Sequence, residues 1–332
     1  MAILVLGGTS WLGGHVARAG LRAGHEVTCL ARGESGDAPP GARLVRADRT
    51  DPEAYAVLPA SQRWDLVVDV TRQPGQARSA LAALSDRAAH WAFVSSGSVY
   101  ADHSRPGADR SSPLLPAFDS DVAGLESYGE AKVACEAACT AYRGEDVLLA
   151  RSGLIAGAGD RSDRFGYWVS RFALAAQDGG PVLVPESIDQ PAQLTDVLDL
   201  AGWLVRAGLD GRTGVVDAYG PRRTLHDVVD TALQVAGFTG ETVAAGDEQL
   251  RAAGVEEFMG ARSLALWLRD PAWLGFSARD TTSAEAAGLV TRDLAATTRD
   301  ALDWERELGL DRTGRRAGLD RADELALVAG LA

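Results

Sequence analysis

The apolar run from Ala2 to Leu6 ends abruptly at Gly7 and Gly8, and apolar residues at helical spacing (Leu12, Val16, Ala19) follow at once. A short strand, a tight turn and a helix are implied. The pattern then recurs. Further β-like runs lie at His25 to Leu30, Ala42 to Val45, Asp65 to Val70, Trp91 to Ser95, Asp146 to Ala150 and Gly214 to Ala218, with helix-like stretches between most of them. Strands alternating with helices are joined by right-handed crossovers, which builds a mostly parallel sheet covered on both faces. The expected fold is α/β, a doubly wound, mostly parallel Rossmann-type sheet of about seven strands.

After about residue 156 the rhythm turns irregular, with Gly/Asp-rich turns, an aromatic cluster (Phe165, Tyr167, Trp168, Phe172) and more helices. Residues 1–155 therefore read as the sheet domain, to which the chain returns at about 190–218. Residues 156–189 and 219–332 read as a smaller substrate-binding domain. The tail from Asp311 reads as a charged linker and a short amphipathic helix. A chain of 332 residues, 46% hydrophobic and 24% charged, is long enough for both domains.

The formal charge of -13 argues against nucleic acid as a partner, because such binding draws on an excess of cations. No run reaches the roughly 20 apolar residues of a membrane helix. The first strand starts at the initiator methionine with no basic leader ahead of it, so a cytoplasmic protein is expected. Cys29, Cys135 and Cys139 are too few for a disulfide framework, and Cys135 with Cys139 lacks the other ligands of a structural zinc site. They are expected as buried thiols, with no metal. The five histidines are scattered and carry no metal spacing.

Gly7, Gly8, Thr9, Ser10, Trp11, Leu12 and Gly13 occupy the first strand-to-helix turn, where backbone amides at a helix N-terminus hold a pyrophosphate. Gly7 allows the turn and Gly13 the close packing of helix on strand. Ser10 stands where a middle glycine is frequent. At the end of the second strand an acidic residue would bind the ribose of NAD, whereas an arginine would bind the 2'-phosphate of NADP. Arg32 stands there, favouring NADP(H) over NAD(H), and Glu34 two residues on could serve the ribose instead. Asp48, with Arg49 beside it, is placed to meet the adenine edge, and Thr71 follows the fourth strand.

Tyr128 and Lys132 are four residues apart on one helix face. A cation beside a phenol stabilises the phenolate, so the pair can exchange a proton near neutrality. Of 33 basic residues 32 are arginine, and Lys132 is the single lysine; asparagine is absent. The scarcity of Lys, Asn and Ile reflects a GC-rich coding bias. A primary amine that survives it at this spacing marks a site where a planar guanidinium would not substitute.

The turn GGTSWLGG from Gly7, SSGSVY from Ser95, YGEAK from Tyr128, RSGLIAGAG from Arg151 and TDVLDLA from Thr195 together resemble the extended short-chain dehydrogenase/reductase family, the NAD-dependent epimerase/dehydratase group, over nearly the whole chain. The resemblance implies that Ser96, three residues before the Val of the VY pair, hydrogen-bonds the substrate oxygen. Tyr128 exchanges the proton, and Lys132 lowers its pKa while holding the nicotinamide ribose. It implies a homodimer as well. The family's frequent fourth member, an asparagine, is missing.

Three departures bear on the activity. Gly97 and Ser98 stand where sugar-nucleotide dehydratases carry an Asp-Glu pair. Leu154 takes the position of an asparagine common in sugar-nucleotide binders, and their diphosphate-binding arginine is replaced near Ala192. The resemblance then points to the reductase branch: an NADPH-dependent enzyme reducing the carbonyl of a small metabolite, aromatic ones included. Ser98, Leu154, Arg164, Tyr167 and Trp168 are the candidate substrate contacts, although an aromatic cluster such as Tyr167 and Trp168 is more often core. Two alternatives stay open: a sugar-nucleotide epimerase with tightly bound NAD, and a non-catalytic dinucleotide-binding regulator.

Overall fold

The structure, a computed structural model, describes residues 1–331. Its elements run β1 (Ala2–Leu6), α1 (Trp11–Arg22), β2 (Glu26–Ala31), β3 (Arg43–Arg46), β4 (Trp64–Asp69), α2 (Pro74–Leu84), β5 (Ala88–Ser96), α3 (Tyr128–Arg143), β6 (Leu148–Ser152) and β7 (Leu154–Ala156). Then come α4 (Gly166–Asp178), β8 (Val182–Pro185), β9 (Leu194–Asp196), α5 (Val197–Leu209), β10 (Gly214–Ala218), α6 (Leu225–Ala236) and β11 (Thr242–Ala245). The chain closes with α7 (Asp247–Ala252), β12 (Glu256–Phe258), β13 (Ser263–Ala265), α8 (Thr282–Ala286), α9 (Leu294–Leu308) and α10 (Arg321–Leu331).

Seven parallel strands form the main sheet in the order β10-β6-β5-β4-β1-β2-β3. The apolar run of β1 is continuous because both of its faces are covered. Ile3 and Val5 pack with α1 and α5, and Leu4 and Leu6 with α2 and α3. Every β-like run read from the sequence is a strand of this sheet, β10 included. The strand order reverses between β1 and β4, so the carboxyl ends of these two strands open the crevice in which such sheets bind ligands.

The second body of elements surrounds a core from α4, α6 and α9 and the short pairs β7–β9, β8–β11 and β12–β13. Tyr167 and Trp168, expected as substrate contacts, are fully buried there, and Trp168 Nε1 donates to the Ala265 carbonyl at 2.8 Å. The aromatic cluster is instead the apolar stripe of α4 facing its own core, the more frequent use of such a cluster. Leu154 is buried in the same cluster, as a residue of β7.

The tail is not a linker. Arg312 and Arg315 pair with Glu305 at 2.8 Å each, and Glu324 on α10, fully buried, forms an ion pair with Arg171 at 3.2 Å and accepts from Arg321 and the Leu183 amide. Cys29, Cys135 and Cys139 are buried free thiols, and burial pushes the Cys29 thiol up to about 11. Among the described residues no helix is long and apolar enough to cross a membrane.

Candidate active site

At the first crevice wall, Gly7 has a φ of 90°, and a Cβ on Gly13 would collide with the Gly7 carbonyl. Both positions need glycine because helix and strand approach at the backbone. Ser10 caps α1: its hydroxyl accepts from the Gly13 amide at 3.3 Å and donates to the Gly7 carbonyl at 2.7 Å. The serine that departs from an all-glycine pattern thus stabilises the turn. Among the described residues the amides of Trp11 and Leu12 take no protein acceptor, so they stand open at the positive end of the helix, as a dinucleotide pyrophosphate requires. The Trp11 indole turns the other way and donates to the Ala158 carbonyl at 2.8 Å.

Arg32 extends from the end of β2, more than half exposed, 3.0 Å from Glu34 and 4.0 Å from Asp48. Arg46, which the sequence reading missed, ends β3 beside it and donates to the Arg32 carbonyl at 3.1 Å. Its guanidinium lies against Gly33 so closely that a Cβ there would strike it. Asp48 accepts from the Thr50 amide, and this bond holds its carboxyl below the usual range. Arg49 corrects an expectation. Its guanidinium grips Asp69 with two bonds of 2.8 and 2.7 Å, donates to the Tyr55 hydroxyl and is buried. It anchors the end of β4 from below and is not presented to a cofactor.

Tyr128 opens α3, and Lys132 follows one turn later on the same face. The register of β4 and β5 ends with Asp69 opposite Phe93, which leaves the Val94 carbonyl without a ladder partner on that side. Lys132 Nζ takes it at 2.6 Å and takes the Thr71 carbonyl at 2.6 Å. The ammonium lies 4.8 Å from the Phe93 ring centre and 6.0 Å from that of Tyr128. Two of its three donors are spent, and the third has no protein acceptor among the described residues. Thr71 contributes its carbonyl here, while its hydroxyl donates to Gln76 at 2.7 Å.

Ser96 ends β5 in extended conformation, and its hydroxyl accepts from the Ser98 amide at 3.1 Å and meets the Ser98 hydroxyl at 3.2 Å. Gly129 brings Tyr128 to this turn, since a Cβ there would strike the Ser98 carbonyl and hold the helix away. The space beside Gly97 is filled from β10. Tyr219 lies wholly buried between Gly97 and Gly153, and a Cβ at either glycine would collide with its side chain. No local pattern signals this contact, because Tyr219 lies more than 100 residues from Gly97.

Beneath the site runs a buried chain of polar groups. Glu136 accepts from Ser95 Oγ at 2.5 Å and from Arg151 at 2.7 Å; Arg151 donates to the Tyr100 hydroxyl at 3.0 Å, and that hydroxyl donates to Asp217 at 2.5 Å. Arg279 stacks 3.5 Å from the Tyr100 ring centre and closes on Asp217 at 3.4 Å. Glu136 stands four residues after Lys132, so a third member at helical spacing was the available signal. Arg164 is half-buried within electrostatic reach of the Tyr128 phenol.

A doubly wound sheet, open amides at its first helix and a Tyr/Lys pair at the crevice define an NAD(P)-dependent enzyme of the Rossmann type. Residues 3–217 match the NAD dependent epimerase/dehydratase family, and the chain belongs to it. The 2'-dehydrokanamycin reductase of Streptomyces kanamyceticus is 42% identical over 72 residues, which are 21% of this chain and 20% of that protein. The matched stretch therefore spans about a fifth of that relative's length. Among solved structures, a candidate epimerase from Burkholderia cenocepacia J2315 is 19% identical with a TM-score of 0.70, covering 92% of this chain and 98% of that one. The UDP-Glc/GlcNAc 4-epimerase of Campylobacter jejuni is 17% identical with a TM-score of 0.66 (92% and 99% covered). The UDP-glucuronic acid 4-epimerase of Bacillus cereus, in complex with NAD, is 16% identical at 0.63 (93% and 99%). Likeness at this identity establishes the fold.

Proposed function

We propose that the protein is an NADPH-dependent reductase that converts the carbonyl of a small metabolite to an alcohol. The observation that carries this reading is the Tyr219 ring beside Gly97: the first position of the acid pair used to dehydrate sugar nucleotides is filled by a neutral, buried side chain and the second is Ser98, while Ser96, Tyr128 and Lys132 are all present. The reductase name of the Streptomyces kanamyceticus relative supports it.

Gly7, Gly13 and the amides of Trp11 and Leu12 would hold the pyrophosphate, Arg32 the 2'-phosphate, and the free Lys132 donor the nicotinamide ribose. The bound nicotinamide supplies a hydride to the carbonyl carbon. Tyr128 gives its proton to the carbonyl oxygen, and Ser96 donates a hydrogen bond to that oxygen as charge develops on it. The Lys132 ammonium, fixed by two carbonyls, stabilises the phenolate that remains.

Sugar-nucleotide epimerisation is the second reading, favoured by the 4-epimerases that share the fold. An absorbance scan of the purified protein, followed by NADPH and NADH assays against aryl and aliphatic ketones, tests both. A reductase arrives free of cofactor and consumes NADPH, whereas an epimerase carries NAD and needs no added nucleotide. The homodimer and cytoplasmic location belong to the same proposal; size-exclusion chromatography of the purified protein and fractionation of its host cells check them.

A further inference from the structure

Arg164 makes no direct ion pair among the described residues, and Asp160 stands behind Ser162 Oγ. Among the described residues the protein hydrogen bond of Arg164 runs from Nε to Ser162 Oγ at 3.0 Å, and its two terminal amino groups have no protein acceptor. Those groups are not sealed in the interior, and Arg164 as a whole is only half-buried. The nearby arginines differ, since Arg312 and Arg315 are both committed to carboxylates. Burial pulls the basicity of Arg164 below the ordinary arginine value, with Asp160 and the Tyr128 phenol acting against that fall. A half-buried cation with no direct ion pair is costly unless a ligand supplies an anion for its free amino groups.

The surroundings hold this cation in one place. Ser162 Oγ, which receives the Arg164 Nε–H, donates in turn to Asp160 Oδ2 at 2.8 Å, while the Ser162 amide donates to Asp160 Oδ1 at 2.8 Å. Asp163, the residue before Arg164, has a φ of 62° and is pinned by Arg312 at 2.6 Å and the Arg316 amide at 2.8 Å. The Phe258 ring lies 5.3 Å from the guanidinium carbon, and Phe258 itself has a φ of 68°. Among the described residues only three other than glycine have positive φ, and two of them flank Arg164. Strain of this kind persists where the fold over-determines a side-chain position, commonly at a ligand clamp. Phe276 stands edge-on to Phe258 at 5.7 Å and extends the aromatic surface.

We infer that Arg164 binds an oxyanion of the substrate, a carboxylate or a phosphate carried by the carbonyl compound that Tyr128 protonates, with the Phe258 ring against its apolar part. The substrate class is thus an acidic carbonyl compound, a proposal that rests on the reductase reading above. A guanidinium presents two parallel N–H bonds to such a group, which fixes the distance between anion and reacting carbonyl.

Benzoylformate against its methyl ester, and dihydroxyacetone phosphate against dihydroxyacetone, give two matched pairs that separate carboxylate from phosphate. In the wild type the charged member of one pair has a kcat/KM about 30-fold above its neutral partner, and Arg164→Gln lowers that ratio about 30-fold, the size expected for hydrogen bonds to a charged group. Arg164→Lys restores part of it. Ser162→Ala, a milder change, lowers the ratio less. Equal use of charged and neutral members, with ratios unmoved by Arg164→Gln, overturns the inference and leaves the reductase reading intact. A variant that raises KM for NADPH and leaves both ratios unchanged overturns it too, making Arg164 a cofactor residue. If no carbonyl compound, acidic or neutral, consumes NADPH, the reductase reading fails. Tryptophan fluorescence titration with benzoylformate and with dihydroxyacetone phosphate, each in the presence of NADP+, then still decides the anion site. Saturable binding of either that weakens about 30-fold in Arg164→Gln supports it, and no Arg164-dependent binding of either overturns it.

Discussion

The side chain of Tyr219 occupies the volume that any side chain at Gly97 would need, so the absence of an acid after Ser96 is built into the packing of two distant strands. Gly97→Asp therefore does not restore a sugar-dehydrating site. It destabilises the protein by about 1–3 kcal/mol or more through overpacking, measured by urea unfolding. Combining it with Tyr219→Ala recovers part of the loss, and simple additivity of the two changes would show that the residues do not compete for the space.

Tyr128→Phe keeps the ring and removes the proton. Its kcat/KM for a carbonyl substrate should fall about 100-fold or more, with the dissociation constant of the dinucleotide little changed. Lys132→Arg should fall comparably, because the pocket between Phe93 and the Thr71 and Val94 carbonyls is shaped for a compact ammonium. Near-normal turnover in either variant removes that residue from the mechanism.

Arg32 and Arg46 bracket Gly33 at the ends of adjacent strands. Each changed to Ala should raise KM for NADPH about 10-fold, with a much smaller effect on NADH. Equal effects on the two nucleotides would locate the arginines away from a 2'-phosphate.

Glu136 and Arg151 form a buried pair at 2.7 Å beneath the end of β5. Glu136→Ala leaves a buried guanidinium uncompensated and should cost about 3–5 kcal/mol in chemical denaturation. A loss under about 1 kcal/mol would mean that Tyr100 alone suffices as its partner.

His15, His90 and His103 all have pKa values lowered from 6.5, chiefly by burial. Below 6.5 the unfolded chain takes up protons that the folded chain refuses, so stability is full above that pH and declines as pH falls through the depressed values. Acidification from about pH 7.5 to about pH 5.5 should lower the melting temperature. Burial raises Asp160, Asp199 and Asp217 from 3.8, which has the opposite sign. That contribution is full below 3.8 and is lost as pH rises through the raised values. A melting temperature that stays flat or rises on acidification would show that the histidines do not dominate.

Much of this was legible along the chain. The strand runs, the glycine turn and the Tyr128/Lys132 spacing depend on residues within a few positions of one another, and local geometry fixes what such neighbours can do. The readings that failed involve side chains whose direction is set from elsewhere. Arg49 looked free because Asp69 lies 20 residues on, and Tyr167 and Trp168 stayed open as substrate contacts because an apolar cluster does not itself say what covers it.

The sequence alone determined the alternating architecture, the family and the Tyr128/Lys132 pairing on one helix face, since backbone propensity and i to i+4 spacing are local properties. Only the tertiary structure decided that Tyr219 closes the space at Gly97, that Lys132 bridges the gap between β4 and β5, and that Arg164 stacks near Phe258 with no direct ion pair among the described residues. Each joins segments far apart in the chain, where packing of the whole molecule and not the pattern of any one stretch chooses the partner.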